Sequence, residues 1–196
     1  MTKNHTTREG WLVAAINSLD DEFFVSRGHK IPTKIQVACG WPKASRRAVG
    51  QCWSPSASAD ETTQMYISPT VDSPLKVLDI LLHEMIHAAV GCEHGHKGPF
   101  RTVAKSFGLA GKMTSTYVEE GSDLESLLIG IVDQLGPYPH AAMTKTDSKA
   151  RVYPYKWSRL MSTTDKSYTV TISPRVMEAH GRPVDPWGEE MVDFVK

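Results

Sequence analysis

Ser73 and Gly91 bracket a segment with helix signals at both ends, and no other segment limits the fold as much. Ser73 is a good N-cap, and Pro74 occupies the first helical position, where a missing N–H costs nothing. Leu75, Leu78, Leu82, Met85, Ile86 and Ala89 recur at helical spacing, and Gly91 supplies the stop. The spacing predicts an amphipathic helix whose apolar stripe must be covered by other elements. On that helix lies His83-Glu84-Met85-Ile86-His87. Histidines four apart project from one face, about a turn from each other, where both can ligate one metal ion.

HExxH on a helix is the pattern of zinc hydrolases. Zinc lowers the pKa of a bound water from ~16 to about 7. Glu84, next to the first ligand, is placed to accept the proton of that water and return it to a leaving amine. A catalytic zinc takes three protein ligands and keeps one position open. The third ligand therefore comes from beyond Gly91. His94 and His96 are the nearest candidates, and Asp123 or Glu125 is a weaker one.

The remaining segments predict an α+β chain. Trp11, Ala15, Leu19 and Phe23 have helical spacing, and Gly28 ends that helix. Extended segments follow at 31–38, 48–53 and 63–68, with an exposed loop at 54–61. A helix is expected from Pro99 to Gly108, and another behind a capping box of Ser122 and Glu125, ended by Gly136-Pro137. Residues 144–150 read as a polar linker, and residues 151–196 as a small β-rich appendage. Lys plus Arg and Asp plus Glu both number 22, so the chain as a whole has no electrostatic pull on nucleic acid or acidic lipid. Locally, residues 1–50 hold eight Lys/Arg against four Asp/Glu, and residues 141–175 seven against two. These basic stretches are the candidate DNA contacts. No window approaches the ~20 apolar residues that span a bilayer, and the first ten residues lack a secretory core. Cys39, Cys52 and Cys92 read as reduced thiols of a cytoplasmic protein, with a Cys39–Cys52 disulfide as the minor alternative and Cys92 as a small buried hydrophobe.

HEMIHAAV followed by His96-Lys97-Gly98-Pro99-Phe100 resembles the SprT-like (Spartan-type) zinc metallopeptidases, in which a histidine opening an H-x-x-x-F/W segment follows HExxH. Gly40-Trp41-Pro42, Gly50-Gln51-Cys52-Trp53, Met65-Tyr66-Ile67-Ser68-Pro69, Gly111-Lys112-Met113-Thr114 and Leu135-Gly136-Pro137-Tyr138-Pro139-His140 resemble segments of phage and bacterial members. The resemblance covers about residues 8–143. It implies a zincin-like metallopeptidase core over residues 1–143, with one zinc ion held by His83, His87 and His96 and with Glu84 as the catalytic residue. It also implies hydrolysis of peptide bonds by Glu84-assisted attack of zinc-bound water, on protein substrates that include DNA-associated proteins. The setting implied is the cytoplasm, that of the host if the chain is phage-encoded. The alternative reading is a zinc-containing DNA- or protein-binding module without turnover.

The tail departs from the family pattern. Many relatives end in a zinc ribbon, but no cysteine follows Cys92, and Lys166-Ser167-Tyr168-Thr169-Val170 and Pro183-Val184-Asp185-Pro186-Trp187-Gly188 stand where the ribbon's cysteine pairs would be. The tail is expected to be a degenerate ribbon without metal, with Trp157, Tyr168 and Trp187 as its core or, alternatively, as a nucleic-acid platform. The Met65–Ser68 strand is the expected sheet edge for an extended substrate. Tyr66, Tyr117, Tyr138 and His140 are the candidate oxyanion stabilisers.

Overall fold

In the computed structural model, which describes residues 4–43, 48–144 and 157–194, the first helix begins where Thr7 caps it. The Thr7 hydroxyl accepts from Gly10 N at 3.1 Å, and α1 runs Arg8–Leu19. The chain continues as a π turn, Asp20–Phe24, and a 3-10 turn, Val25–Arg27, until Gly28 reverses it at φ 73°. Trp11, Leu12, Ala15 and Leu19 are fully buried, and Trp11 Nε1 donates to Gly136 O at 3.0 Å.

Three strands follow: β1 Ile35–Cys39, β2 Gly50–Trp53 and β3 Thr63–Ile67. The sheet order is β1-β3-β2. β3 pairs parallel with β1, from Ile35↔Thr63 to Cys39↔Ile67, and antiparallel with β2, from Gly50↔Ile67 to Trp53↔Gln64. The strand expected at the edge is therefore the central one. Its alternation explains why: Thr63, Met65 and Ile67 are all fully buried, which requires a partner on each side and a helix across one face. Cys39 and Cys52 sit on the two outer strands with β3 between them.

The covering helix is α2, Pro74–Val90, with Pro74 at its first turn and Gly91, at φ 98°, ending it. Val77, Leu78, Leu81, Leu82, Met85 and Ile86 have no exposed surface. Each such side chain contributes about 1.5–3 kcal/mol by leaving water, so α2 is the main organiser of the core. α3, Pro99–Ser106, packs on α2. A short hairpin follows, β4 Ala110–Lys112 with β5 Ser115–Tyr117. α4, Asp123–Leu135, starts where Ser122 Oγ accepts from Glu125 N at 3.1 Å and Glu125 Oε2 accepts from Gly121 N at 2.7 Å. This is a capping box whose return arm reaches one residue further back than usual.

The chain divides into two compact units, residues 1–145 and 146–196. From residue 145 onward, the segment expected to be a linker lies outside the described residues, as do residues 151–156. In the second unit, β6 Ser158–Met161 pairs antiparallel with β7 Thr169–Ile172 on one side and, beyond α5 Pro174–His180, with β8 Val192–Asp193 on the other.

The expected aromatic core of this unit is not what forms. Trp157, Trp187 and Tyr168 are 65%, 54% and 40% exposed, and among the unit's described residues only Leu160 and Met191 are fully buried apolar ones. What ties the unit's loops is polar. Ser162 Oγ donates to Asp185 Oδ2 at 2.5 Å and accepts from Thr164 N and Asp165 N, both at 3.0 Å. Asp185 Oδ1 accepts from Trp187 N at 3.0 Å and Glu189 N at 2.9 Å. These bonds hold the Asp185 carboxyl below the usual carboxylate range, the Ser162 hydroxyl contributing most. Among the described residues, no helix is long and apolar enough to cross a membrane.

Candidate metal centre

α2 carries His83 and His87 on one face and delivers them to the same point. After Gly91 the chain makes a 3-10 turn, Cys92–His94, and doubles back through Gly95 (φ 52°) and Gly98 (φ 48°). These backbone angles suit glycine, and the return they permit brings His96 over α2. His96 Nε2 lies 3.2 Å from His83 Nε2 and 3.2 Å from His87 Nε2. The ligating atoms of His83, His87 and His96 all lie within 4.8 Å of one another, and they form the sole group of three or more metal-ligating side chains among the described residues. An ion bonded tetrahedrally to nitrogens at about 2.0–2.1 Å separates them by about 3.3–3.4 Å. The two spacings that His96 makes are close to that value.

The other candidates for third ligand lie elsewhere. His94 Nε2 faces Glu93 Oε1 at 3.7 Å, and its side chain is 44% exposed. Glu125 is engaged in capping α4, and Asp123 is outside the cluster.

Two neighbours fix the rings. Phe100, fully buried at the start of α3, stacks on His87 with centroids 4.2 Å apart and 26° between planes, and touches His83 (4.8 Å) and His96 (5.1 Å). Thr116 Oγ1 on β5 lies 2.8 Å from His83 Nδ1. With the Nδ1 proton directed at that hydroxyl, the His83 Nε2 lone pair is left for a cation. Burial, followed by the other two histidines and Lys76, pushes His83 down to about 3; burial and His96 push His87 down to about 4. His96 is lowered by burial alone. All three are neutral at pH 7, as metal ligands must be.

Glu84 points from α2 toward β2 and is buried. A Cβ placed on Gly50 would come within 2.4 Å of Glu84 Oε1 and 2.6 Å of Ile80 Cγ2, so only glycine lets the strand and the carboxylate approach this closely. The backbone N–H of Cys52 donates to Glu84, which opposes the larger effect: burial pushes the carboxyl up to about 8. Cys52 also meets Cys92, Sγ to Sγ, at 3.4 Å. The expectation of an apolar setting for Cys92 is thus replaced by a thiol pair.

These groups line one cavity of about 730 Å³. Its walls are α2 from Lys76 to His87, residues 48–52 of and before β2, the Gly95-His96 turn, and residues 114–117 of the hairpin. At the upstream end Lys76 Nζ bonds Asp79 Oδ2 at 2.5 Å, and burial raises the Asp79 carboxyl. Of the four candidate oxyanion stabilisers, Tyr117 alone lines this cavity. Tyr138 is buried against Trp11 at 5.1 Å, Tyr66 packs over Gly40, and His140 borders a second cavity beside Arg8 and Trp41.

Sequence reasoning missed Gly50, Thr116 and the Lys76–Asp79 pair. The one signal available was position: Lys76, Asp79 and His83 follow each other at helical spacing on α2. Gly50 and Thr116 carry no such signal. No family model, curated protein or solved structure matches this chain.

Proposed function

We propose that the chain is a zinc metallopeptidase with a zincin-like core, of the SprT-like kind its motifs resemble. One observation carries the reading: three neutral imidazoles converge, with ligating atoms within 4.8 Å of one another, beside a buried glutamate in one cavity. Zinc held there supplies a Lewis acid and a water acidified to near neutrality. His83, His87 and His96 hold the ion, and Thr116 keeps His83 in the ligating tautomer. Glu84 takes a proton from the attacking water at its carboxylate and passes it to the leaving amine nitrogen. Burial alone would keep Glu84 protonated, whereas a nearby cation favours the ionised base. The Tyr117 hydroxyl is the group we assign to the developing oxyanion. An extended substrate fits along β2, the sheet edge that lines the cavity, rather than along the central β3.

The substrate class is protein, including protein attached to DNA. Residues 146–196 together hold eight Lys/Arg against seven Asp/Glu, so DNA contact from the tail rests on its local basic stretch at 141–175 rather than on its net charge. A module that binds without turnover also has no use for a buried carboxylate beside a three-histidine site, so hydrolysis is the better reading. The deciding experiment pairs zinc analysis with cleavage of unfolded casein and of a DNA-linked protein. One zinc per chain and cleavage, abolished in Glu84→Gln with zinc retained, is the expected result. A zinc-loaded wild type that cleaves neither substrate would overturn the proposal.

A further inference from the structure

Cys52 and Cys92 come from distant parts of the chain, one on β2 and the other in the turn that follows α2. Both are free, partly buried and on the wall of the cavity. Their sulfurs are 3.4 Å apart, and a disulfide needs ~2.05 Å, so closure asks for about 1.4 Å of approach. Cys39, the third cysteine, lies across the sheet on β1 and accepts from Arg8 Nη1 at 3.2 Å. We infer that Cys52 and Cys92 are a redox-active dithiol that hydrogen peroxide converts to a disulfide, and that the disulfide shuts down the neighbouring site. The second half rests on the peptidase reading; the first does not.

The chemistry balances within the pair. The Cys92 thiolate, favoured by the hydrogen bond from Cys52, attacks one peroxide oxygen. The O–O bond breaks, Cys92 becomes a sulfenic acid, and hydroxide leaves to be protonated to water. The Cys52 sulfur, losing its proton, then attacks the Cys92 sulfur and expels the second oxygen as water. Two thiols and one hydrogen peroxide give one disulfide and two waters.

The consequence for the site follows from how tightly β2 meets Glu84. The Cys52 N–H holds the Glu84 carboxylate, and Gly50 leaves no slack between strand and side chain. Drawing Cys52 toward Cys92 moves the strand on which that carboxylate rests. His83, His87 and His96 all lie outside β2, the strand that moves, so the metal stays.

The test uses the full-length, reduced, zinc-loaded protein treated with hydrogen peroxide, alkylated and mapped by peptide mass spectrometry. The expected product is a Cys52–Cys92 cross-link lighter by two hydrogens, with Cys39 still alkylated and zinc retained. Casein cleavage should fall by roughly 10²-fold, the loss typical of a catalytic group displaced by about 1 Å, and dithiothreitol should restore it. Cys52→Ser and Cys92→Ser should each give the same rate before and after peroxide, whatever that rate is. Absence of the cross-link, with each cysteine alkylated or separately over-oxidised, overturns the dithiol. A cross-link that leaves cleavage unchanged overturns the switch. A reduced wild type that does not cleave is a failure of the peptidase reading, and the mapping still decides the dithiol.

Discussion

Ser162 and Asp185 join two loops of residues 146–196 by filling each other's hydrogen-bonding capacity, whereas His83, His87 and His96 join elements of residues 1–145 and leave theirs open. In the first cluster the hydroxyl donates once and accepts twice, and the carboxylate takes three donors. In the second, His96 Nε2 lies 3.2 Å from the Nε2 atoms of both His83 and His87, and each neutral ring has one nitrogen lone pair to offer. A polar cluster that is complete in itself has no place for an ion. One that gathers neutral imidazole nitrogens at a common point can hold a cation. The contrast separates a cluster able to hold a metal ion from a tail whose aspartate stands where the resemblance places a ribbon cysteine.

The sharpest way to break this contrast is through the residue beside the open cluster. Glu84→Gln should lower kcat by about 10²–10⁴-fold while zinc content, read by atomic absorption, stays at one per chain. Zinc lost along with activity would make Glu84 part of the cluster itself. His96→Ala should lose the zinc and His94→Ala should keep it; two zincs per wild-type chain would end the distinction between the units. Thr116→Val should weaken zinc by about 10–100-fold, with Thr116→Ser restoring it, in a competition titration against a chelator.

The smallest effect is in acid. The folded pKa values of His83 and His87 lie below the ordinary 6.5, at about 3 and about 4. The unfolded chain therefore binds protons that the native metal-free unit refuses, and stability falls as pH drops from about 6.5 toward 3. Asp185 is lowered from an ordinary 3.8, so its contribution is complete above that value and is lost only as pH falls through its folded pKa. Hydrogen exchange followed over residues 83–96 and 162–187 should show the metal-free first unit loosening at a higher pH than the second. Added zinc should erase that lead.

How much could be read from the sequence follows the range of the forces involved. α2, its ends and the histidine pair were legible because caps, stripe and ligand spacing all lie within one helix. The nearness of His96 rather than His94 followed from the resemblance through Phe100, whose ring touches all three imidazoles. The β4–β5 hairpin was not legible: each strand has three residues, too few for an alternation to show. Thr116 and Gly50 act through contacts 33 and 34 positions away along the chain, to His83 and Glu84, which no local pattern encodes. The place of β3 was misjudged because its exposed-looking Gln64 and Tyr66 alternate with residues that need cover on both sides. The tail's aromatics were misassigned for a related reason. A unit this small closes over Leu160 and Met191 and a hydrogen-bonded pair, with no interior wide enough for three large rings.

Phe100 has one more consequence. A benzene ring stacked 4.2 Å from an imidazole shields the protons above its face by its circulating π electrons. The carbon-bound protons of His87 should therefore resonate upfield of those of His94, whose ring stacks on no aromatic side chain among the described residues. That displacement gives a magnetic signature by which the arrival of a metal at this centre can be followed, residue by residue, without any substrate.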